Sequence, residues 1–280
     1  MNTGARAGGH VARRRFGQNF LVDPRIIARI VAAIRPRPGE TMIEIGPGLG
    51  ALTMPLLERL GHLHVVEIDR DLTARLRETC DPARLAIHEG DALEFDFGKL
   101  RAENGPLLRV AGNLPYNIST PLLFHLAGFA AHLRDLTFML QKEVVMRMAA
   151  APGGADYGRL SVMLQYRFRL ERLFDIPPGA FRPAPKVTSS LVRMTPRPAP
   201  ECGARDETLF GDIVAAAFGQ RRKTLRNTLR TFLSEPGFAA LGLDPGLRGE
   251  RLAVAEFVAI ANYCASSQRR NTPIRASRHE

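Results

Sequence analysis

Asn113-Leu-Pro-Tyr116 places a side-chain amide, a rigid turn and an aromatic ring in four consecutive residues. That combination suits work on the exocyclic amine of a nucleobase. Such an amine is a poor nucleophile, because its lone pair is delocalised into the ring. The Asn113 side-chain oxygen and the Leu114 carbonyl can accept its two hydrogens and localise the pair. Pro115 lacks a donor and stiffens the turn, and the Tyr116 ring can stack on the base. Rate would then come from orientation and electrostatics, with no strong base needed. Gly46-x-Gly48-x-Gly50 lets backbone approach a ligand without side-chain clash. Glu67 follows Gly46 by 21 positions, where a carboxylate can accept from both hydroxyls of a ribose. Asp91 can accept from the amine of an adenine. Each group has a plainer explanation: a strand–helix corner, a solvated loop acid, a Gly-Asp turn, a comfortable Asn-x-Pro-Tyr turn.

The elements that carry these residues decide between the two. Thr41–Ile45, His64–Ile68, Leu85–His88, Leu107–Ala111 and Leu136–Leu140 read as short apolar strands. Helical spacing follows most of them: Leu52, Leu56, Leu57 and Leu60; Leu72 and Leu76; Leu122, Leu123 and Leu126 behind a capping Ser119; then about Gln141–Ala150. Alternation of this kind predicts an α/β fold with a mostly parallel sheet. Ligands of such sheets sit outside the carboxyl ends of the strands. Gly46–Gly50, Glu67, Asp91 and Asn113 all fall at those ends, so four strand ends converge on one crevice. The glycine spacing is not G-x-G-x-x-G, and no Lys-Ser/Thr follows it. The crevice is therefore expected to hold adenosine without a pyrophosphate, which suits S-adenosylmethionine better than a dinucleotide. Phe168–Ile176 and Val187–Met194 read as two more strands. Residues 152–158 and 177–185 are Gly/Pro-rich connections, and Pro196, Pro198, Pro200 and Gly203 mark a linker. Leu209–Phe218, Thr224–Leu233 and Val254–Tyr263 then predict a small helical second domain.

Charge separates the same regions. The chain of 280 residues has 39 basic and 28 acidic side chains, a formal net charge of +11. Residues 1–40 hold 8 basic and 2 acidic groups, 41–176 hold 15 and 17, and 177–280 hold 16 and 9. A near-neutral middle between basic ends fits a small-molecule site flanked by polyanion-binding surfaces. Its slight acidity also matches a cationic sulfonium. Gln220–Leu233, read as one helix, would align Arg222, Arg226 and Arg230 as a basic stripe beside Leu225, Leu229 and Phe232. Cys80, Cys202 and Cys264 form no CxxC pair, which excludes a zinc ribbon and suits a reducing compartment. No apolar run approaches the ~18 residues of a membrane span. The Arg-rich, acid-poor start to Arg15 has no apolar core and is no secretory signal. A motif beginning at Phe16 leaves little room for a removable leader, so the cytoplasm is expected. No metal and no obligate protein partner are implied.

Further motifs appear in one order: Phe16-Gly-Gln-Asn-Phe-Leu21, Glu44-Ile-Gly-Pro-Gly-Leu-Gly-Ala-Leu-Thr53, Val66-Glu-Ile-Asp69, Glu89-Gly-Asp91, Asn113-Leu-Pro-Tyr-Asn-Ile118, Gln141-Lys-Glu143, Phe181-Arg-Pro-Ala-Pro-Lys-Val187 and Gln220-Arg-Arg-Lys-Thr-Leu-Arg-Asn227. From about residue 13 to 264 the chain resembles the ribosomal RNA adenine dimethyltransferases. The resemblance is strongest to the bacterial small-subunit type, which dimethylates two adjacent adenosines near the 3′ end of 16S rRNA. It implies a Rossmann-like class I methyltransferase domain over 1–197 with a basic N-terminal arm. It also implies a helical RNA-binding domain over 204–264, and a tail over 265–280 that matches nothing and is expected to be disordered. Cofactor contacts would fall on Asn19, Leu21, Gly46, Glu67, Asp91 and Asn113. Asn113 and Tyr116 would hold the target adenine, with Phe181 completing a sandwich around it. Arg222, Lys223, Arg226 and Arg230 would meet RNA.

Other activities share parts of this pattern. A large-subunit rRNA methyltransferase of the antibiotic-resistance type is disfavoured by Gln220-Arg-Arg-Lys-Thr-Leu-Arg226. DNA adenine and protein glutamine methyltransferases use an Asn-Pro-Pro-Tyr-like turn, and the single proline here disfavours both. A ribosome-assembly or transcription factor that kept the fold but lost turnover would not need Asn113, Tyr116 and Glu67 intact.

Overall fold

The computed structural model of the chain describes residues 6–7, 10–11, 18–198 and 203–271. Its central sheet has seven strands: β1 (Met42–Ile45), β2 (Leu63–Glu67), β3 (Leu85–Glu89), β4 (Leu108–Asn113), β5 (Leu133–Gln141), β6 (Phe168–Ile176) and β7 (Ser189–Pro196). In space they run β3-β2-β1-β4-β5-β7-β6. The first five are mutually parallel. β7 enters antiparallel between β5 and β6. The order reverses at β1, so β1 and β4 lie side by side at the switch point with their carboxyl ends open to a ligand. Gly112 of β4 passes so close to the Ile45 carbonyl that a Cβ there would clash with it.

Helices α1 (Pro24–Ile34), α2 (Thr53–Leu60), α3 (Arg70–Thr79), α4 (Phe97–Asn104), α5 (Ser119–Gly128) and α6 (Lys142–Ala149) connect or precede these strands. Ile30, Val31 and Ile34 of α1 share one core with Leu56, Leu57 and Leu60 of α2 and with Met42, Leu63 and Val65 beneath them. Helix starts follow the chemistry of their caps. Asp23 accepts from the Arg25 and Ile26 amides ahead of α1, and Asp96 accepts from the Lys99 amide ahead of α4. Ser119 does not cap α5. It is the first helical residue, and its hydroxyl donates back to the Tyr116 carbonyl at 3.1 Å.

The chain divides into two compact units, 1–149 with 167–196, and 150–166 with 197–280. The break at 196/197 falls at the Pro-rich linker. Helix α7 (Arg159–Arg167), however, contributes to the second unit, whereas the sequence boundary of 1–197 put it in the first. The reason is apolar packing: Val162 and Tyr166 lie in one core with Phe210, Ile213 and Val214 of α8 (Glu207–Gly219). That core also takes Phe257, Ile260 and Ala261 of the last helix, Val254–Asn271. The helix runs six residues past Ala265, with no glycine or proline before Pro273 to stop it, so the first part of the tail expected to be disordered is helical. Arg13–Arg15 and 272–280 lie outside the described residues. No described helix is long and apolar enough to cross a membrane.

Gln220–Leu233 is not one helix. Gly219 ends α8, a turn follows, and only Leu225–Thr228 (α9) is helical before the chain turns again. The Leu225 amide donates to the Leu247 carbonyl and the Arg226 amide to the Pro245 carbonyl, so tertiary partners replace a preceding helical turn. Leu225 and Leu229 are still buried, and Phe232 partly so. The apolar period was real, but it did not require a continuous helix. Arg222 therefore precedes α9 and does not lie one turn before Arg226. The three arginines are exposed without forming a helical stripe.

Candidate functional site

An open pocket lies at the carboxyl ends of β1, β2, β3 and β4. Asn19, Gly46, Glu67, Asp91 and Asn113 all line it, together with Gln18, Phe20, Gly48 and Ile68. Its glycine turn is shaped by contact. Gly48 has φ +57°, and a Cβ on it would come within 3.1 Å of the Phe20 ring, so a side chain would both strain the backbone and push Phe20 away.

Glu67 ends β2 and is buried. Its Oε1 accepts from the Asp69 amide at 2.9 Å and its Oε2 from the Gly48 amide at 3.3 Å. Burial pushes its pKa up and Asp69 adds to this, while the backbone donors pull it back. The carboxylate is thus fixed in orientation and keeps lone pairs for vicinal hydroxyls. Glu44 of β1 is also buried, and its carboxyl is pushed up to about 8 by desolvation, against the bond it accepts from Thr53 Oγ1 at 2.7 Å and with Glu67 raising it further. Asp91 follows β3 and takes the Leu93 amide on Oδ1 at 2.9 Å.

Asn113 ends β4. Its Nδ2 donates to the Asn19 carbonyl at 2.7 Å, which turns Oδ1 into an acceptor for something else. Tyr116 is half-buried and, unlike Pro115 and Asn117 on either side of it, is not among the pocket-lining residues; its hydroxyl is hydrogen-bonded to Ser189 Oγ at 2.7 Å. Among the described residues, the pocket lining contains carboxylates but no Lys, Arg or His. A cation is welcome there, and a pyrophosphate is not. Ribose acceptor, adenine acceptor, close-approach turn and acidic lining fit S-adenosylmethionine. Among the described residues, no group of three or more His, Cys, Asp or Glu is placed to hold a metal ion.

Two expected contacts differ. Leu21 is buried in the core and does not line the pocket, whereas its neighbour Phe20 does. Phe20–Leu21 pairs antiparallel with Phe181–Arg182, and side chains alternate along such a pair, so one residue faces the ligand and the other the interior. Any cofactor contact at Leu21 must come from its backbone. Phe181 is fully buried against Leu21, Ile176 and Leu191. With no exposed ring face, it does not sandwich a base in this structure. It pins the segment that carries Asn19 and Phe20. Sequence reasoning also passed over Gln18, whose side chain donates to Asp69 Oδ2 at 3.1 Å, and Ile68, 46% exposed at the rim. Which of Phe20 and Leu21 faces the pocket depends on the pairing with Phe181–Arg182, so no local signal marks Phe20, and none marks Gln18.

Strand order, inserted antiparallel β7, glycine turn and strand-end carboxylate together define a Rossmann-like class I methyltransferase. Within that class, the ribosomal RNA adenine dimethylase family matches residues 9–266, and the chain belongs to it. The ribosomal RNA small subunit methyltransferase A of Aromatoleum aromaticum is 72% identical over 261 residues, covering 93% of this chain and 97% of that protein. A dimethyladenosine transferase from Plasmodium falciparum, 22% identical, has a TM-score of 0.71 and covers 86% of this chain and 95% of its own. The 23S rRNA methyltransferase ErmE, 24% identical, has a TM-score of 0.66 over 88% of this chain and 100% of its own. At those identities the solved structures share the fold.

Proposed function

We propose that this enzyme transfers methyl groups from S-adenosylmethionine to N6 of two adjacent adenosines near the 3′ end of 16S rRNA, giving N6,N6-dimethyladenosine. The substrate is the small ribosomal subunit, the compartment is the cytoplasm, and the reaction accompanies subunit assembly. The observation that carries this reading is Asn113, whose amide nitrogen is committed to Asn19 while its oxygen is left for an incoming donor.

Bound S-adenosylmethionine supplies an activated methyl group on a sulfonium. Glu67 accepts from the ribose hydroxyls and Asp91 from the adenine amine of that cofactor. Asn113 Oδ1 and the Leu114 carbonyl accept from the target N6, directing its lone pair at the methyl group, while the Tyr116 ring supports the base. The amine gains positive charge as its new bond to the methyl carbon forms and the carbon–sulfur bond breaks, that electron pair staying on sulfur as a neutral thioether, and the amine then releases a proton to solvent. Among the described residues, the pocket lining offers no cation to oppose that charge. Exposed Arg222, Lys223 and Arg230, with Arg226, hold rRNA phosphates without reading sequence.

Mass spectrometry of 16S rRNA from a strain lacking the gene is expected to show loss of both dimethyladenosines. Wild-type protein should restore them and Asn113→Ala should not. Intact 16S modification with altered 23S rRNA would overturn the assignment. The arginine reading has its own measurement. Replacing Arg222 and Arg230 by Gln should reduce the salt slope of subunit binding by about 1.4–1.8 units, at roughly 0.7–0.9 per phosphate contact. Arg226 should add less, because it is already paired with Glu235 at 2.7 Å. An unchanged slope would place the RNA grip elsewhere.

A further inference from the structure

Tyr116 belongs to the loop between β4 and α5, yet its ring is not left to loop motion. The backbone of the turn is tied by the Ile118 amide donating to the Pro115 carbonyl at 3.2 Å and by Ser119 Oγ donating to the Tyr116 carbonyl. The ring itself is tied at its far end, where Tyr116 Oη meets Ser189 Oγ at 2.7 Å. Ser189 is fully buried and opens β7. It pairs in register with Gln141 of β5 on one side and Ile176 of β6 on the other. A strand bonded along both edges is among the stiffest anchors a sheet offers. The neighbouring Ser190 is used elsewhere, donating to Asp175 Oδ1 at 2.6 Å, and Lys142 pairs with the same carboxylate at 2.8 Å. The Tyr116 anchor is therefore Ser189 alone.

We propose that Ser189 is a positioning residue for methyl transfer, fixing through Tyr116 Oη the plane of the ring on which the target adenine rests. The inference depends on Tyr116 serving as that platform. With its hydroxyl engaged by Ser189, Tyr116 presents a ring face to the base and no acid or base group. Burial also pushes the phenol up from its ordinary value, against the bond from Ser189, so it stays protonated at neutral pH. Freed from Ser189, the ring would regain side-chain freedom, and the amine would spend less time in line with the methyl group.

The test is a double-mutant cycle on the full chain, with unmethylated small ribosomal subunits and saturating S-adenosylmethionine. Ser189→Ala should lower kcat by about 3- to 10-fold, the worth of one hydrogen bond. Cofactor affinity by calorimetry should stay at the wild-type value. Tyr116→Phe should lower kcat by a similar factor, and the double variant should be no slower than either single one. Factors that multiply, or cofactor affinity that falls alongside turnover, would overturn the inference in favour of general loosening. Tyr116→Ala separates the two levels. If it retains wild-type turnover, the platform reading fails. If it abolishes turnover while Ser189→Ala stays fully active, only the role of Ser189 fails.

Discussion

The two ends of the sheet bury charge in opposite ways. At the amino end, Arg109 of β4 is 5% exposed and fully answered. Its Nη1 lies 2.5 Å from Glu40 Oε2 and its Nε 3.0 Å from Asp135 Oδ1. Its remaining donors reach the Ile34 and Arg35 carbonyls, closing the end of α1. At the carboxyl end, Glu44 is as deeply buried, but among the described residues no cation faces it, and it is held neutral instead. Pairing at one end and protonation at the other solve the same desolvation cost. The difference follows from what each end does. A permanent cation beside Glu44 and Glu67 would repel a sulfonium, so the site end forgoes it. The amino end lies away from that pocket and can spend an arginine on cohesion.

The sharpest way to break this contrast is at Arg109. Arg109→Ala leaves Asp135 half-buried without its cation, leaves Glu40 with only the exposed Arg134, and frees two helix-end carbonyls. Breaking a buried pair from one side typically costs about 3–5 kcal/mol. Urea denaturation should show a loss of that size, with methyl transfer per folded molecule unchanged. A loss under about 1 kcal/mol would mean that water already reaches the cluster.

The carboxyl end should show the reverse pattern. Glu67→Gln keeps an acceptor for the Gly48 or Asp69 amide, and so keeps the fold, but removes the charge and one oxygen aimed at ribose. Glu67→Ala would orphan both amides and confuse the two effects. Affinity for S-adenosylmethionine should fall by about ten- to a hundredfold, equivalent to roughly 1.5–3 kcal/mol, with thermal stability of the ligand-free protein nearly unaltered. Wild-type affinity by calorimetric titration would remove Glu67 from the cofactor site.

These two ends were unequally legible in the sequence. The carboxyl end announced itself, because Gly46–Gly50, Glu67, Asp91 and Asn113 each follow an apolar run, and a parallel sheet must gather such positions. The seven strands were readable for the same reason, to within a few residues. Arg109 was not, since one arginine inside Leu107–Ala111 gives no sign that Glu40, 69 positions earlier, will answer it. Helices α1, α4 and α7 went unread, and α9 was over-read, because apolar spacing at Leu225, Leu229 and Phe232 reports burial rather than helix length. The exchange of roles between Phe20 and Leu21 depends on the pairing with Phe181, some 160 residues away. That pairing is a tertiary fact that local pattern cannot supply.

The mildest expected effect is a slope in stability with pH, and its sign distinguishes a protonated acid from a paired one. Glu44 has a folded value of about 8 against an unfolded value of 4.5. A group raised in the folded state contributes fully below its unfolded value, and that contribution is lost as pH rises towards the folded value. Wild-type stability should therefore carry a declining component between about pH 4.5 and 8, of at most about 1.4 kcal/mol per unit. Glu67, also raised, adds in the same direction. Glu44→Gln removes the titration at nearly constant volume and leaves an oxygen for Thr53. Urea denaturation at intervals from pH 5 to 8 should then show wild type and variant diverging, with the variant gaining relative stability as pH rises. The Arg109 cluster is the same in the two proteins and drops out of that difference. Parallel profiles for the two proteins would mean that Glu44 is charged in the folded state and finds compensation at the carboxyl end, which would erase the contrast between the two ends.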